Sequence, residues 1–256
     1  MFMNKIITIA GQKGGTGKSV TAVNLATSLS LLEKNTLLID VDPQALSTLW
    51  CGIKELDYNC DIATVLSGRA SVKSAIVKTQ VNYLDMIPSG FNLFQVARRL
   101  AKTPGNEKML HLLLKDVEDE YDYIIIDAPS SYGFLSISAL TAAQWVLVCM
   151  TVQQNSLDDF QCFLKLVKYI RDTHTVPLKI AGFLFNRCRN RTQIHSFLEH
   201  QNLLDIEKMV FNTFIPEDKN IPEAARMSLP LALHDIKSPA ASAYLNFSSE
   251  IDNFIQ

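Results

Sequence analysis

Gln12-Lys13-Gly14-Gly15-Thr16-Gly17-Lys18-Ser19 lies between an apolar run, Ile6 to Ala10, and a stretch with helical spacing, Val20 to Leu32. In that stretch Val23, Ala26 and Leu29 share one face, with Leu32 next in the series. A buried strand, a glycine-rich turn and a helix N-terminus, in that order, make an anion cradle. Glycines let backbone N–H groups close on phosphate oxygens, and the helix dipole adds partial positive charge. Lys18 is spaced to reach β- and γ-phosphates, and the Ser19 hydroxyl to join a magnesium shell. The pattern predicts a nucleoside triphosphate site built from residues 13–19, with Val20 bordering it.

Composition bounds the rest. The chain has 256 residues, 48% of them hydrophobic and 20% charged, which is enough apolar material for one substantial core. No apolar run approaches the roughly 18 residues of a membrane span. Residues 1–5, Met1-Phe2-Met3-Asn4-Lys5, lead straight into the first strand, so no signal peptide is expected. Cys51, Cys60, Cys149, Cys162 and Cys188 have neither C-x-x-C spacing nor a nearby histidine at metal spacing, which predicts plain thiols in a reducing cytosol. The net charge of -2 excludes a globally basic nucleic-acid binder but leaves room for a local patch.

Apolar runs recur at Ile6–Ala10, Thr36–Ile39, Tyr83–Ile87, Tyr123–Ile126, Trp145–Met150, Ile180–Phe185 and Val210–Ile215. Most are continuous rather than alternating, as in strands buried on both faces of a mainly parallel sheet. Helical patterns separate them, for example Leu157 to Arg171 and Asn106 to Glu118. No linker or repeat divides the chain. The expectation is a single domain over residues 1–256: a doubly wound, mainly parallel α/β sheet flanked by helices, with its ligand at the carboxyl ends of the strands.

Two further motifs fall at those ends. Leu37-Leu38-Ile39-Asp40-Val41-Asp42-Pro43-Gln44 closes the second strand with two carboxylates on one side. Paired acids would repel phosphate unless a cation or water lies between, so one suits a magnesium water shell and the other an attacking water. Tyr123-Ile124-Ile125-Ile126-Asp127-Ala128-Pro129 is an apolar strand ending in one carboxylate, the arrangement that holds Mg²⁺ through a water.

The glycine turn departs from the common P-loop. Gln12 stands where glycine is usual, with Gly11 one residue earlier, and Lys13 is a second lysine inside the turn. Lys13 would repel Lys18 unless polyphosphate lies between them, and its stem is also long enough to reach towards a second subunit. This K-G-G-x-G-K-[ST] arrangement is the deviant Walker A signature, and on it the chain resembles the ParA/MinD family of dimerising ATPases. The D-x-D-P-Q motif is matched in full at residues 40–44. The family's D-x-P-P is matched except that Ser130 replaces the second proline, and Val20 replaces a common threonine. Resemblance to the Soj-type ParA proteins extends from Lys5 to about Ile255, with late markers at Phe185-Asn186-Arg187, Ile215-Pro216 and Pro222-Glu223-Ala224.

That resemblance implies ATP and Mg²⁺ as ligands and a weak ATPase working through Lys13, Lys18 and Asp42, with Asp42 polarising the hydrolytic water. It places Asp40 near the magnesium shell beside Ser19, Asp42 and Asp127, and sets Asn186 and Pro216 beside the adenine. It further implies an ATP-dependent homodimer, cytoplasmic and nucleoid-associated, that binds DNA non-specifically through Arg187, Arg189 and Arg191. A ParB-like partner would stimulate hydrolysis. Membrane targeting of the MinD kind is not expected. The stripe of Tyr244, Phe247, Ile251, Phe254 and Ile255 in the tail from Ala240 to Gln256 has no lysine or arginine beside it, while Glu250 and Asp252 are acidic. The tail is expected to pack on the domain. A slow regulatory scaffold and a metabolic ligase of the same fold are the other readings.

Overall fold

A computed structural model of the protein describes residues 5–11, 13–153, 157–174 and 176–255. Gln12, Gln256 and the leading residues 1–4, named above, lie outside the described residues. The strands are β1 (Lys5–Ala10), β2 (Thr36–Asp40), β3 (Val77–Lys78), β4 (Leu84–Ile87), β5 (Tyr123–Asp127), β6 (Trp145–Met150) and β7 (Lys179–Phe185). They form one sheet in the order β3-β4-β2-β5-β1-β6-β7, parallel except for the edge strand β3. Helices fill the connections: α1 (Lys18–Leu31), α2 (Leu46–Trp50), α3 (Ile62–Leu66), α4 (Asn92–Leu100), α5 (Met109–Leu114) and α6 (Phe134–Ala142). They continue with α7 (Leu157–His174), α8 (Arg191–His200), α9 (Asn220–Arg226), α10 (Leu231–Asp235) and α11 (Pro239–Ile255). No helix among the described residues is long and apolar enough to cross a membrane.

Alternate residues of each strand feed opposite cores, because successive side chains on a strand point to opposite faces. On one face Ile7, Ile9, Leu38, Ile125 and Leu147 pack with Val23, Ala26 and Leu29 of α1 and with Tyr244, Phe247 and Ile251 of α11. On the other, Ile6, Leu37, Ile39, Ile124 and Val146 pack with Leu110, Leu135, Ala139 and Phe163. Burial on both faces accounts for the continuous apolar runs. Parallel pairing sets Asp40 opposite Asp127, and Ile9 opposite Asp127. The ends of β1, β2 and β5 therefore meet at one place.

The tail packs as expected. The Tyr244 hydroxyl is 3.2 Å from Thr21 Oγ1, and Asp252 accepts hydrogen bonds from Lys5 Nζ at 3.3 Å and from the Tyr123 hydroxyl. Phe254 meets Trp145 and Phe211 edge-on.

Four local expectations are corrected. Val210–Ile215 does not form a strand; beside β7 it makes only two isolated bridges, Phe183–Val210 and Asn186–Ile215. Between the bridges side chains take the backbone groups: Glu250 accepts from the N–H groups of Asn212 and Thr213, and the Phe211 carbonyl accepts from Arg191. Tyr83 lies outside β4 with φ at 65°, a left-handed turn that ends before Leu84. The helix expected over 106–118 reduces to one 3₁₀ turn and the short α5. Leu32 caps α1 and is exposed. The two-residue β3 carries no pattern of its own and was not expected.

Gly182 sits in β7 beside the register shift between Val146 and Leu147 of β6. A Cβ there would come within 2.6 Å of Phe211 Cε2 and 2.7 Å of the Met209 carbonyl oxygen. Backbone cannot yield as a side chain tip can. Gly182→Ala is expected to cost about 1–3 kcal/mol, read as a lower urea midpoint at unchanged slope; a wild-type midpoint would contradict the close packing.

Candidate functional site

Residues 13–19 wrap the N-terminus of α1. Gly17 precedes the helix at φ 88°, and its carbonyl accepts from Thr21 N at 2.8 Å. A Cβ on Gly17 would lie 2.8 Å from Asn186 Nδ2. That same amide donates to the Thr16 carbonyl at 2.8 Å, and Asn186 is buried. Asn186 therefore braces the turn from behind, with its Nδ2 committed to the loop. Pro216 follows Ile215, which bridges Asn186, so the two late markers are neighbours.

Lys18 is 6% exposed, unusual for a lysine, and its ammonium donates to the Lys13 carbonyl at 3.0 Å and to Ser130 Oγ at 2.7 Å. Burial pushes its pKa down, opposed by the nearby charges of Asp127 and Asp42. Thr16 Oγ1 also donates to the Lys13 carbonyl, at 3.2 Å. Lys13, Gly14 and Gly15 form an exposed rim, while Thr16 and Lys18 form the floor; Ser19 and Val20 are half-buried at the helix start.

Asp127 is fully buried. Its Oδ2 accepts from Ser47 Oγ at 2.6 Å, while Oδ1 is buried without a hydrogen-bond partner among the described residues. Burial raises its pKa; the hydroxyls of Ser47 and Ser19 oppose the rise. An orphaned, buried carboxylate oxygen near a serine hydroxyl fits the hydrated shell of a divalent cation. Among the described residues no three His, Cys, Asp or Glu side chains converge as a metal site. A cation held here would take its other oxygens from Ser19, phosphate and water.

Asp40 lies opposite Asp127 at the end of β2. It is fully buried, with Oδ1 accepting from Asp42 N at 3.0 Å and Oδ2 accepting from Thr48 N and Thr48 Oγ1, each at 2.9 Å. Burial and the charge of Asp127 raise its pKa. With both oxygens engaged by its own chain, Asp40 ties β2 to α2. Asp42 is the more accessible acid: Oδ1 caps the Gln44 N–H at 2.9 Å, and Oδ2 has no partner among the described residues.

Arg187, Arg189 and Arg191 are all exposed, but they are not equivalent. Arg187 has φ 57°, a strained value for a side-chain-bearing residue. The guanidinium of Arg191 donates to the Phe211 carbonyl at 2.7 Å and to Asn212 Oδ1 at 3.4 Å. It fastens Phe211 and Asn212 to the start of α8. Sequence reasoning also missed the partnerships of Ser47 with Asp127 and Thr48 with Asp40. Both hydroxyls sit on α2, just after the D-x-D-P-Q motif, and nothing in their spacing marks them.

A parallel sheet whose adjacent strand ends hold a two-lysine glycine turn and two acidic termini defines a P-loop nucleotide-binding protein of the deviant Walker A type. Residues 4–180 match the family model described as AAA domain. The chain is 34% identical over 249 residues to the sporulation initiation inhibitor protein Soj of Bacillus subtilis, covering 97% of this chain and 98% of Soj. It is 31% identical to the chromosome partitioning protein ParA of Myxococcus xanthus, covering 97% and 88%. A solved structure of cobyrinic acid a,c-diamide synthase from Mycobacterium smegmatis, with bound ATP analog and magnesium, matches with a TM-score of 0.85 at 26% identity, covering 99% of this chain and 96% of that one. The chain belongs to the ParA/MinD family of deviant Walker A ATPases.

Proposed function

We propose that this protein is an ATP-dependent switch of the partition type: a weak ATPase that dimerises around MgATP, binds DNA non-specifically as the dimer, and is reset when a partner protein stimulates hydrolysis. The observation that carries this reading is the division of labour between two lysines in one turn. Lys18 is buried and aimed inward, whereas the Lys13 side chain stands on the exposed rim. A lysine on that rim would reach a triphosphate held by a second copy. Residues 14–19 would hold the phosphates, with Ser19 and Asp127 around magnesium. Bound metal would supply charge neutralisation of the phosphate oxygens. Whole-length similarity to Soj and ParA supports a partition role, the cargo being a plasmid, a chromosome region or a protein assembly. A small-molecule synthase reading rests on similarity to a solved synthase, at lower identity than Soj.

DNA contact falls mainly to Arg187 and Arg189, which make no salt bridge among the described residues, since phosphate-backbone binding needs accessible cations and no base reading. The acidic pair after Pro216 weakens this less than its charge suggests. Asp218 is committed to the N–H groups of Asn220 and Ala240, leaving Glu217 as the exposed acid there.

Asp42, whose Oδ1 already takes the Gln44 N–H, would accept the proton of an attacking water at Oδ2. Asp42→Ala is therefore expected to slow ATP hydrolysis by about 100-fold or more and to prolong ATP-dependent retention on DNA in a pelleting assay. Unchanged turnover would remove Asp42 from that role. Failure of the wild type to pellet with DNA in ATP would sink the partition reading.

A further inference from the structure

Ser130 stands where the family's second proline is usual, directly after Pro129 on the loop leaving β5. The exchange adds a hydroxyl at a particular point. Its oxygen accepts from the buried ammonium of Lys18 at 2.7 Å, while its own proton finds no acceptor among the described residues. The loop is anchored next to it, because Ser136 Oγ donates to the Pro129 carbonyl at 3.1 Å and Ala128 N donates to the Ile9 carbonyl at 3.4 Å. A hydroxyl that already accepts from an ammonium and has a proton to give is complementary to an anionic oxygen lying against that same ammonium.

We infer that Ser130 is a positioning residue that reads the terminal phosphate of a nucleoside triphosphate through Lys18, holding the ammonium with its oxygen and donating its proton to a γ-phosphate oxygen. This rests on the nucleotide reading above and deepens it. A diphosphate has no oxygen at that distance along the chain, so the hydroxyl would discriminate ATP from ADP. It would do so from the loop that runs on into α6, giving a direct link between phosphate number and the position of that loop. The burial that lowers the Lys18 pKa makes the contact more valuable, since a desolvated ammonium gains more from each acceptor.

The test is nucleotide affinity measured by calorimetry with Mg²⁺ and either ADP or a non-hydrolysable ATP analogue, on wild type, Ser130→Ala and Ser130→Thr. Loss of the hydroxyl is expected to weaken the triphosphate about tenfold and ADP by less than about twofold, as for one charge-assisted hydrogen bond. Threonine, which keeps the hydroxyl, is expected to restore the ratio. Equal weakening of both nucleotides, or no change in either, would overturn the inference while leaving the nucleotide site in place; a threonine variant as poor as alanine would do the same. A wild type that binds neither nucleotide would overturn both.

Discussion

Gly17→Ala is expected to abolish useful nucleotide binding, weakening MgATP by about 100-fold or more, while the sheet survives. Two costs meet at this residue. Its φ of 88° places an L side chain in the left-handed region, at roughly 1–2 kcal/mol. The added Cβ would also come 2.8 Å from the Asn186 amide, an overlap worth roughly another 1–3 kcal/mol. The loop can escape only by moving off Asn186, which breaks the amide's bond to the Thr16 carbonyl and spreads the N–H groups meant for phosphate. Calorimetry with the ATP analogue and a thermal melt separate site from fold. Near wild-type affinity at an unchanged melting temperature would show that the turn tolerates a side chain, and the account of Asn186 as its brace would fall.

Lys13→Ala is expected to have the opposite signature: nucleotide affinity within about threefold of wild type, with ATP-dependent dimerisation lost. The backbone carbonyl of Lys13, which takes the Lys18 and Thr16 hydrogen bonds, survives the substitution. Only the exposed side chain is removed. Truncating one partner of a desolvated charge pair across an interface typically costs 2–5 kcal/mol, enough to move a micromolar dimer beyond millimolar at the upper end of that range. Light scattering with ATP analogue, ADP and no nucleotide reads the result. A variant that dimerises like the wild type would confine Lys13 to its own subunit and remove the main support for the switch.

The central fold was legible because three signals agreed at β1, β2 and β5: continuous apolar runs, helical spacing between them, and turn or acidic residues at their carboxyl ends. Where one signal stood alone the reading slipped. Val210–Ile215 is apolar enough for a strand, yet Glu250 and Arg191, distant in sequence, take the hydrogen bonds at its middle. The phosphate turn could be read residue by residue because glycine and lysine spacing is itself the chemistry. The bracing groups could not. Asn186 lies 170 residues from Thr16, and Ser130 lies 112 from Lys18, so only the closed sheet brings them together. Asp40 shows the remaining difficulty: a motif identifies a carboxylate but not which donors already occupy it, and Thr48 occupies this one.

The pairing of Asp40 with Asp127 across β2 and β5 also restricts the gene. A single inserted or deleted codon within either strand would reverse the facing of every side chain beyond it, turning one carboxylate away from its neighbour and an apolar residue into its place. Length variation among descendants of this chain is therefore confined to the connections, and these two strands are expected to diverge by substitution alone.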